Sequence, residues 1–396
     1  MAESPTSESM PSKVSFWRDP QKRALIFQVI VLAAVFVFIA FIFNNTLQNL
    51  EKRGISTGFT FLQNEAGFGV LQSLIDYDET YTFGRTFLVG LLNTILVSLL
   101  GIFLATILGF IVGVARLSHN WIINKLAAAY VETFRNIPLL LQIVFWYFSI
   151  MPLLPHPRAS MQISDAVFLN RRGLYLPDPV TEPGFWVVTL AFIVAIVGIV
   201  FMRRWAHRRQ DETGQQFPVF WTSLAILIGL PGLVFLMAGT PLTWEYPELK
   251  GFNFRGGITI IPELMALALA LSIYTAAYIA EIVRSGILSV SHGQTEAASA
   301  LGLRKSTILR LVIIPQAMRV IIPQLTSQYL NLTKNSSLAP AIGYPDLVAV
   351  FAGTTLNQTG QAVEIIGMTM GVYLTLSLTI SAFMNWYNKR MALVER

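Results

Sequence analysis

The chain of 396 residues is 54% hydrophobic and 13% charged, against about 25% charged residues in a typical soluble domain, and its mean hydropathy is +0.58. A soluble fold cannot shelter that much apolar side chain, whereas a bilayer solvates it, and the net charge of +6 sits in short clusters such as Arg203, Arg204, Arg208 and Arg209 rather than on a basic face with interleaved aromatics, which argues against nucleic-acid binding. Cysteine is absent, excluding disulfides and thiolate chemistry, and His119, His156, His207 and His292 are scattered without metal-ligand spacing.

Residues 1–23 form a polar tail ending in Lys22 and Arg23. The apolar run 24–43 follows, succeeded by Asn44, Asn45 and Thr46 with no Ala-x-Ala cleavage site, so it reads as an uncleaved anchor that spans. Seven further candidate crossings lie at about 87–114, 130–150, 185–202, 217–238, 263–283, 320–339 and 363–386. Together they predict an all-α polytopic membrane protein with about eight transmembrane helices. The second crossing carries Gly109 and Gly113, and the last carries Gly367 and Gly371, at a spacing that lets membrane helices approach closely.

Basic residues orient the chain. With the N-terminus in the cytoplasm, Arg116, Lys125, the 203–209 cluster, the 284–319 stretch, Lys389 and Arg390 all fall inside. The segments 44–86, 151–184 and 239–262 then fall outside, and the first holds Asp76, Asp78 and Glu79. Both termini are expected in the cytoplasm. The seventh crossing is unusually polar, with Gln324, Ser327, Gln328, Asn331, Lys334, Asn335 and Ser336. Unpartnered polar groups in hydrocarbon cost several kcal/mol each, so this segment packs inside the bundle, lines a watery cavity or is a surface loop.

Between crossings six and seven lies a long basic segment. It contains Glu296-Ala297-Ala298, three residues, Gly302, nine residues and then Val312-Ile313-Ile314-Pro315. Ala297, Ala298 and Ala300 suit a short helix with a slim face, Glu296 is expected near its favoured N-terminal end, Gly302 is expected to cap its C-terminus, and Pro315 is expected to break the next helix. The pattern resembles the EAA loop of ABC importer permeases, with Val312 in place of Ile and Ile314 in place of Leu. The stretches Tyr130–Gln142, Tyr278–Gly286 and Lys334–Leu338 are similar to segments of the polar amino acid permeases, the histidine/glutamine/arginine class, and the length resembles that of general L-amino acid importer subunits.

That resemblance implies a five-helix type I permease core built from 85–150 and 263–390. The tail 1–23, the anchor 24–43 and the insertion 151–262 with two extra membrane helices lie outside it. It also implies coupling through Glu296, Ala297, Ala298, Gly302 and Pro315 to separate ATPase subunits that bind ATP-Mg. Further partners are a second permease subunit, identical or related, a periplasmic amino-acid-binding protein, membrane lipid and the amino acid itself. The implied location is the bacterial inner membrane. The chain has no Gly-x-x-x-x-Gly-Lys-Ser/Thr phosphate loop, and Leu301–Ser306 only mimics its end. No cofactor or metal is therefore expected here, nor any enzymatic activity.

For an amino acid crossing the membrane, Asn331, Lys334, Asn335 and Ser336 are the candidate path residues. Lys334 can offset a carboxylate, and the amides and hydroxyl can serve either end, unless these groups satisfy one another between helices. Glu132 with Arg135 and Glu281 with Arg284 are expected i, i+3 ion pairs, either interfacial or gating. The main alternative function is an ion-gradient-driven transporter of a small polar solute, but the acidic residues cluster at the expected membrane faces. A membrane enzyme would need a catalytic cluster at membrane depth, and a scaffold would not explain the polar seventh crossing.

Overall fold

The computed structural model describes residues 20–391 except 53, 55 and 56; most of the predicted tail lies outside the described residues. Among them, seven helices are long and apolar enough to cross a membrane, and a bent pair makes an eighth. In chain order the elements begin with α1 (Pro20–Lys52), α2 (Phe83–Ala115), α3 (Trp121–Asn136) and α4 (Leu139–Phe145). After them come α5 (Phe185–Thr213), α6 (Val219–Met237) and α7 (Pro262–Leu288). The chain closes with α8 (His292–Ala300), α9 (Lys305–Ile308), α10 (Ile314–Asn335), α11 (Leu356–Thr359) and α12 (Ala362–Met391).

Helix α7 is the hub. In its most apolar stretch 72% of residues are buried, against 0% in α1 and 6% in α6. Gly109 and Gly113 explain how α2 lies against it: a Cβ at Gly109 would stand 2.6 Å from the Ile279 Cβ, and one at Gly113 2.8 Å from the Ala280 carbonyl oxygen. Backbone-to-helix contact this close requires glycine. Gly367 and Gly371 on α12 meet nothing within 4 Å, so only the first of the two glycine pairs is a packing device in this chain. One to two turns further along the same face α7 meets α10, where Gly286 faces Ile321. Val97, Leu271, Ile279, Ile322 and Leu332 fill the core between the three helices. Helices α5 and α6 pack chiefly on each other.

The predicted third crossing, 130–150, is not one straight helix. Pro138 denies the preceding residue helical geometry, and Ile137 is extended (φ −95°, ψ 127°). The helices on either side meet at 103°. Gln142 closes the break by donating its amide to the carbonyls of Phe134 (3.0 Å) and Ile137 (2.9 Å). The seventh crossing also starts earlier than predicted, because the chain stays helical from Lys305 to Ile342.

Short strands, absent from the all-helical expectation, occupy the loops beside the bundle. These are β1 (Met161–Ser164), β2 (Val167–Asn170), β3 (Gly173–Leu176), β4 (Asp178–Thr181), β5 (Leu242–Glu245), β6 (Glu248–Lys250), β7 (Asn253–Arg255) and β8 (Ile258–Ile260). One antiparallel sheet has the order β1-β2-β3-β8, and two further pairs are β4-β5 and β6-β7. The register Tyr175 opposite Thr259 joins the loop before α5 to the loop after α6, so the two ends of the inserted hairpin form one cap. Tyr175 is buried there and donates to Asn253 Oδ1 at 2.8 Å.

Candidate functional site

The segment between α7 and α10 forms a nine-residue helix, α8, whose Ala298 is buried while Ala297 is exposed. Its end is a Schellman motif: the Gly302 N–H donates to the Ser299 carbonyl (2.9 Å) and the Leu303 N–H to the Ala298 carbonyl (3.3 Å). Gly302 has φ +73°, the left-handed conformation that this motif demands and that glycine adopts without strain. The expected helix stop is therefore present in atomic detail.

Two expectations for this segment need correction. Glu296 is not at the helix start. It is the fifth residue of α8, where the dipole has little effect, and its Oε1 lies 3.1 Å from His292 Nδ1 with the side chain 72% exposed. Pro315 does not break the helix. A wide π turn, Leu309–Ile313, precedes it and runs without a break into α10 at Ile314, so the irregular turn accommodates the proline inside a continuous helical segment.

A second site lies along one face of α7 and α10. Arg135, Tyr278, Glu281, Gln324, Ser327 and Gln328 border a polar cavity of about 350 Å3. Tyr274, Thr275, Asn331 and Asn335 border another of about 300 Å3, which shares Tyr278 and Gln328 with the first. The shared residues make one polar track. Gln324, Gln328, Asn331 and Asn335 follow the 4-3-4 spacing of a single helical face and extend over roughly 16 Å of helix at 1.5 Å per residue.

Of the four residues predicted for a path, Asn331 and Asn335 meet on this track. Lys334 is exposed on an adjacent face, and Ser336 is fully buried, donating to the Thr333 carbonyl at 2.7 Å. Ser336 thus satisfies its own helix instead of facing the cavities. Tyr274, Tyr278 and Gln328 complete the track, and the i, i+4 spacing of the two tyrosines was the available signal for them.

At one end of the track Glu281 is held by Arg284 (2.6 Å) and by Arg116 at the end of α2. The expected Glu132–Arg135 pair is absent among the described residues. The Arg135 guanidinium instead covers the Tyr278 ring at 5.0 Å from its centroid.

A buried polar cluster went unrecognised in the sequence. Asn93 donates to the carbonyls of Gln72 (2.8 Å) and Pro345 (2.9 Å), and Tyr344 donates to the Asn93 carbonyl (3.0 Å). The Leu347 N–H donates to Thr94 Oγ1 (3.0 Å), and Asp346 Oδ1 accepts from the Ala349 N–H (2.8 Å). Asp346 is fully buried between the last two spans, and burial pushes its carboxyl up to about 6 despite the backbone donors that favour the anion. The cluster fastens the loop after α10 to α2. Its partners are up to 253 residues apart in sequence, so no local pattern announces it.

A nucleotide has no seat at Leu301–Ser306. Gly302 lies at a helix C-terminus, where carbonyls rather than N–H groups are free, so the glycine there cannot serve as a phosphate loop does. Among the described residues no group of three or more His, Asp or Glu could hold a metal ion.

Comparison with known proteins joins these features. The sequence model of the family described as "Binding-protein-dependent transport system inner membrane component" matches residues 189–393. Over 378 residues the chain is 55% identical to YhdX of Escherichia coli (strain K12), whose name assigns it to amino-acid ABC transport, covering 96% of both chains. It is 52% identical to the general L-amino acid transport system permease protein AapQ of Rhizobium johnstonii, covering 96% of this chain and 94% of that one. It is 43% identical to the glutamate/glutamine/aspartate/asparagine transport system permease protein BztB of Rhodobacter capsulatus over 96% of each. A chain with these membrane spans and this full-length likeness belongs to the family of binding-protein-dependent transport system inner membrane components.

Proposed function

We propose that the chain is the membrane-spanning permease subunit of an ATP-driven amino acid importer in the bacterial inner membrane. The observation that carries this reading is the continuous polar track on α7 and α10, a feature that has no place in a helix facing lipid. Likeness along almost the whole chain to relatives named for amino-acid transport supports the substrate class. The same family membership weighs against an ion-gradient carrier.

In this reading Asn331 and Asn335, with Gln328 and the two tyrosines, offer donors and acceptors to the substrate's polar ends. Arg135 and Glu281 mark the inner end of the track. The α8 helix, with Glu296 and Ala297 exposed and Gly302 fixing its end, docks to an ATPase subunit that hydrolyses ATP-Mg. A second permease subunit covers the open side of the track, and a periplasmic binding protein delivers the amino acid. The core is 85–150 with 263–390, the insertion 151–262 is peripheral to docking, and both termini are cytoplasmic. ATP binding drives import only if the inward-open and outward-open states bind these partners with different affinity.

The decisive experiment reconstitutes the purified complex in vesicles with binding protein outside and ATP inside. Uptake of labelled amino acids that requires ATP and ignores ionophores is the expected result. Uptake that follows an imposed ion gradient without ATP would overturn the proposal.

A further inference from the structure

A cavity of about 980 Å3 opens where α2 and α7 both end, and neither the coupling residues nor the polar track uses it. Its wall is apolar, with Phe110, Val114, Ile287, Ile308, Ile313 and Met318. Its edge is polar: His119 lies just past the end of α2, Thr295 and Ser299 lie on α8, and Lys305 opens α9. No carboxylate borders it, and Lys305, flanked in sequence by Arg304 and Arg310, makes no ion pair among the described residues.

Folded interiors leave few voids larger than a water molecule, and apolar voids stay dry. A space of this size, lined by these side chains, suits an apolar occupant, and the cation at its edge asks for a negative end. Depth settles the source. Because two spans terminate at the cavity, its wall stands at the level of the hydrocarbon and its edge at the level of the headgroups. Basic pockets between membrane helices at that level suit anionic headgroups.

We infer that the cavity holds an acyl chain of an anionic glycerophospholipid from the membrane, with its phosphate at Lys305 beside Thr295 and Ser299. The lipid then forms part of the seat of α8, and coupling through that helix responds to anionic lipid. The inference rests on the chain crossing a bilayer and not on which solute is carried.

The test uses the whole purified complex in nanodiscs containing phosphatidylglycerol and phosphatidylcholine in equal amounts, with tightly retained lipid counted by native mass spectrometry. The expected result is about one retained lipid per chain, with at least fivefold preference for phosphatidylglycerol. Lys305→Glu abolishes the preference, and Val114→Trp, which fills a partly exposed wall position, abolishes retention of both lipids. Equal retention by the parent, or an undiminished preference in Lys305→Glu, overturns the inference. So does Val114→Cys in this cysteine-free chain cross-linking to an ATPase subunit, which would mean that protein fills the space. Lipid counting needs no transport, so a failed uptake assay leaves this result standing.

Discussion

Gly302 offers the sharpest test of coupling. Substitution by Val forces a β-branched residue into φ +73°, a conformation that disfavours L side chains by roughly 1–2 kcal/mol. Among the described residues, chain neighbours aside, no atom lies within 4 Å of the position a Cβ would take, so strain and not collision is the intramolecular effect. A penalty of that size changes the ratio of capped to uncapped α8 by a factor of about 5–30. Asn tolerates the left-handed region and should recover most of it. The assay is substrate-stimulated ATP hydrolysis by the assembled complex, together with ATPase retention on purification. The expected order is Gly302, then Asn, then Val, with membrane insertion unchanged. If Gly302→Val hydrolyses ATP like the parent while its α8 cap is shown to be lost, the helix end does not transmit coupling. If Asn and Val fail equally, the loss arises from blocked docking and the strain argument is wrong.

Asn331→Ala should change the relative uptake of competing amino acids by about fivefold, the worth of one hydrogen bond of about 1 kcal/mol, measured in vesicles. Ser336→Ala, which loses the buried bond to the Thr333 carbonyl, should lower thermal stability and leave the preference alone. Gly109→Ala places a Cβ 2.6 Å from that of Ile279 and should destabilise the α2–α7 contact by about 1–3 kcal/mol, read as a lower unfolding temperature in detergent. Gly367→Ala meets nothing within 4 Å and should leave that temperature unchanged. Asp346 has a folded value of about 6, above its ordinary 3.8, so the folded state favours the protonated carboxyl and loses stability as pH rises through that window. Asp346→Asn, which keeps an acceptor for the Ala349 N–H, should therefore raise the unfolding temperature more at pH 7.5 than at pH 5; an equal change at both would show that the carboxyl titrates normally.

Among the described residues, what the sequence determined by itself are properties written in neighbouring residues. Apolar runs of bilayer length marked the spans, because hydrocarbon tolerates little else. The Glu296–Pro315 spacing located the helix that leaves the bundle, and Gly302 marked its end, because only glycine enters the left-handed cap freely. The polar character of α10 was equally plain.

Tertiary structure decided which of these signals have partners. It paired Gly109 and Gly113 with α7 and left Gly367 and Gly371 facing open space. It placed Asn331 and Asn335 on the track and turned Ser336 into its own helix, since residues five positions apart on a helix point in different directions. It bent the third crossing at Pro138, merged Pro315 into a continuous helix through a π turn, and moved Glu296 away from the helix start. The strands of the cap and the Asn93–Asp346 cluster draw their hydrogen bonds from segments far apart in sequence. Such bonds have no local period to announce them, and only the packed chain brings their donors and acceptors together.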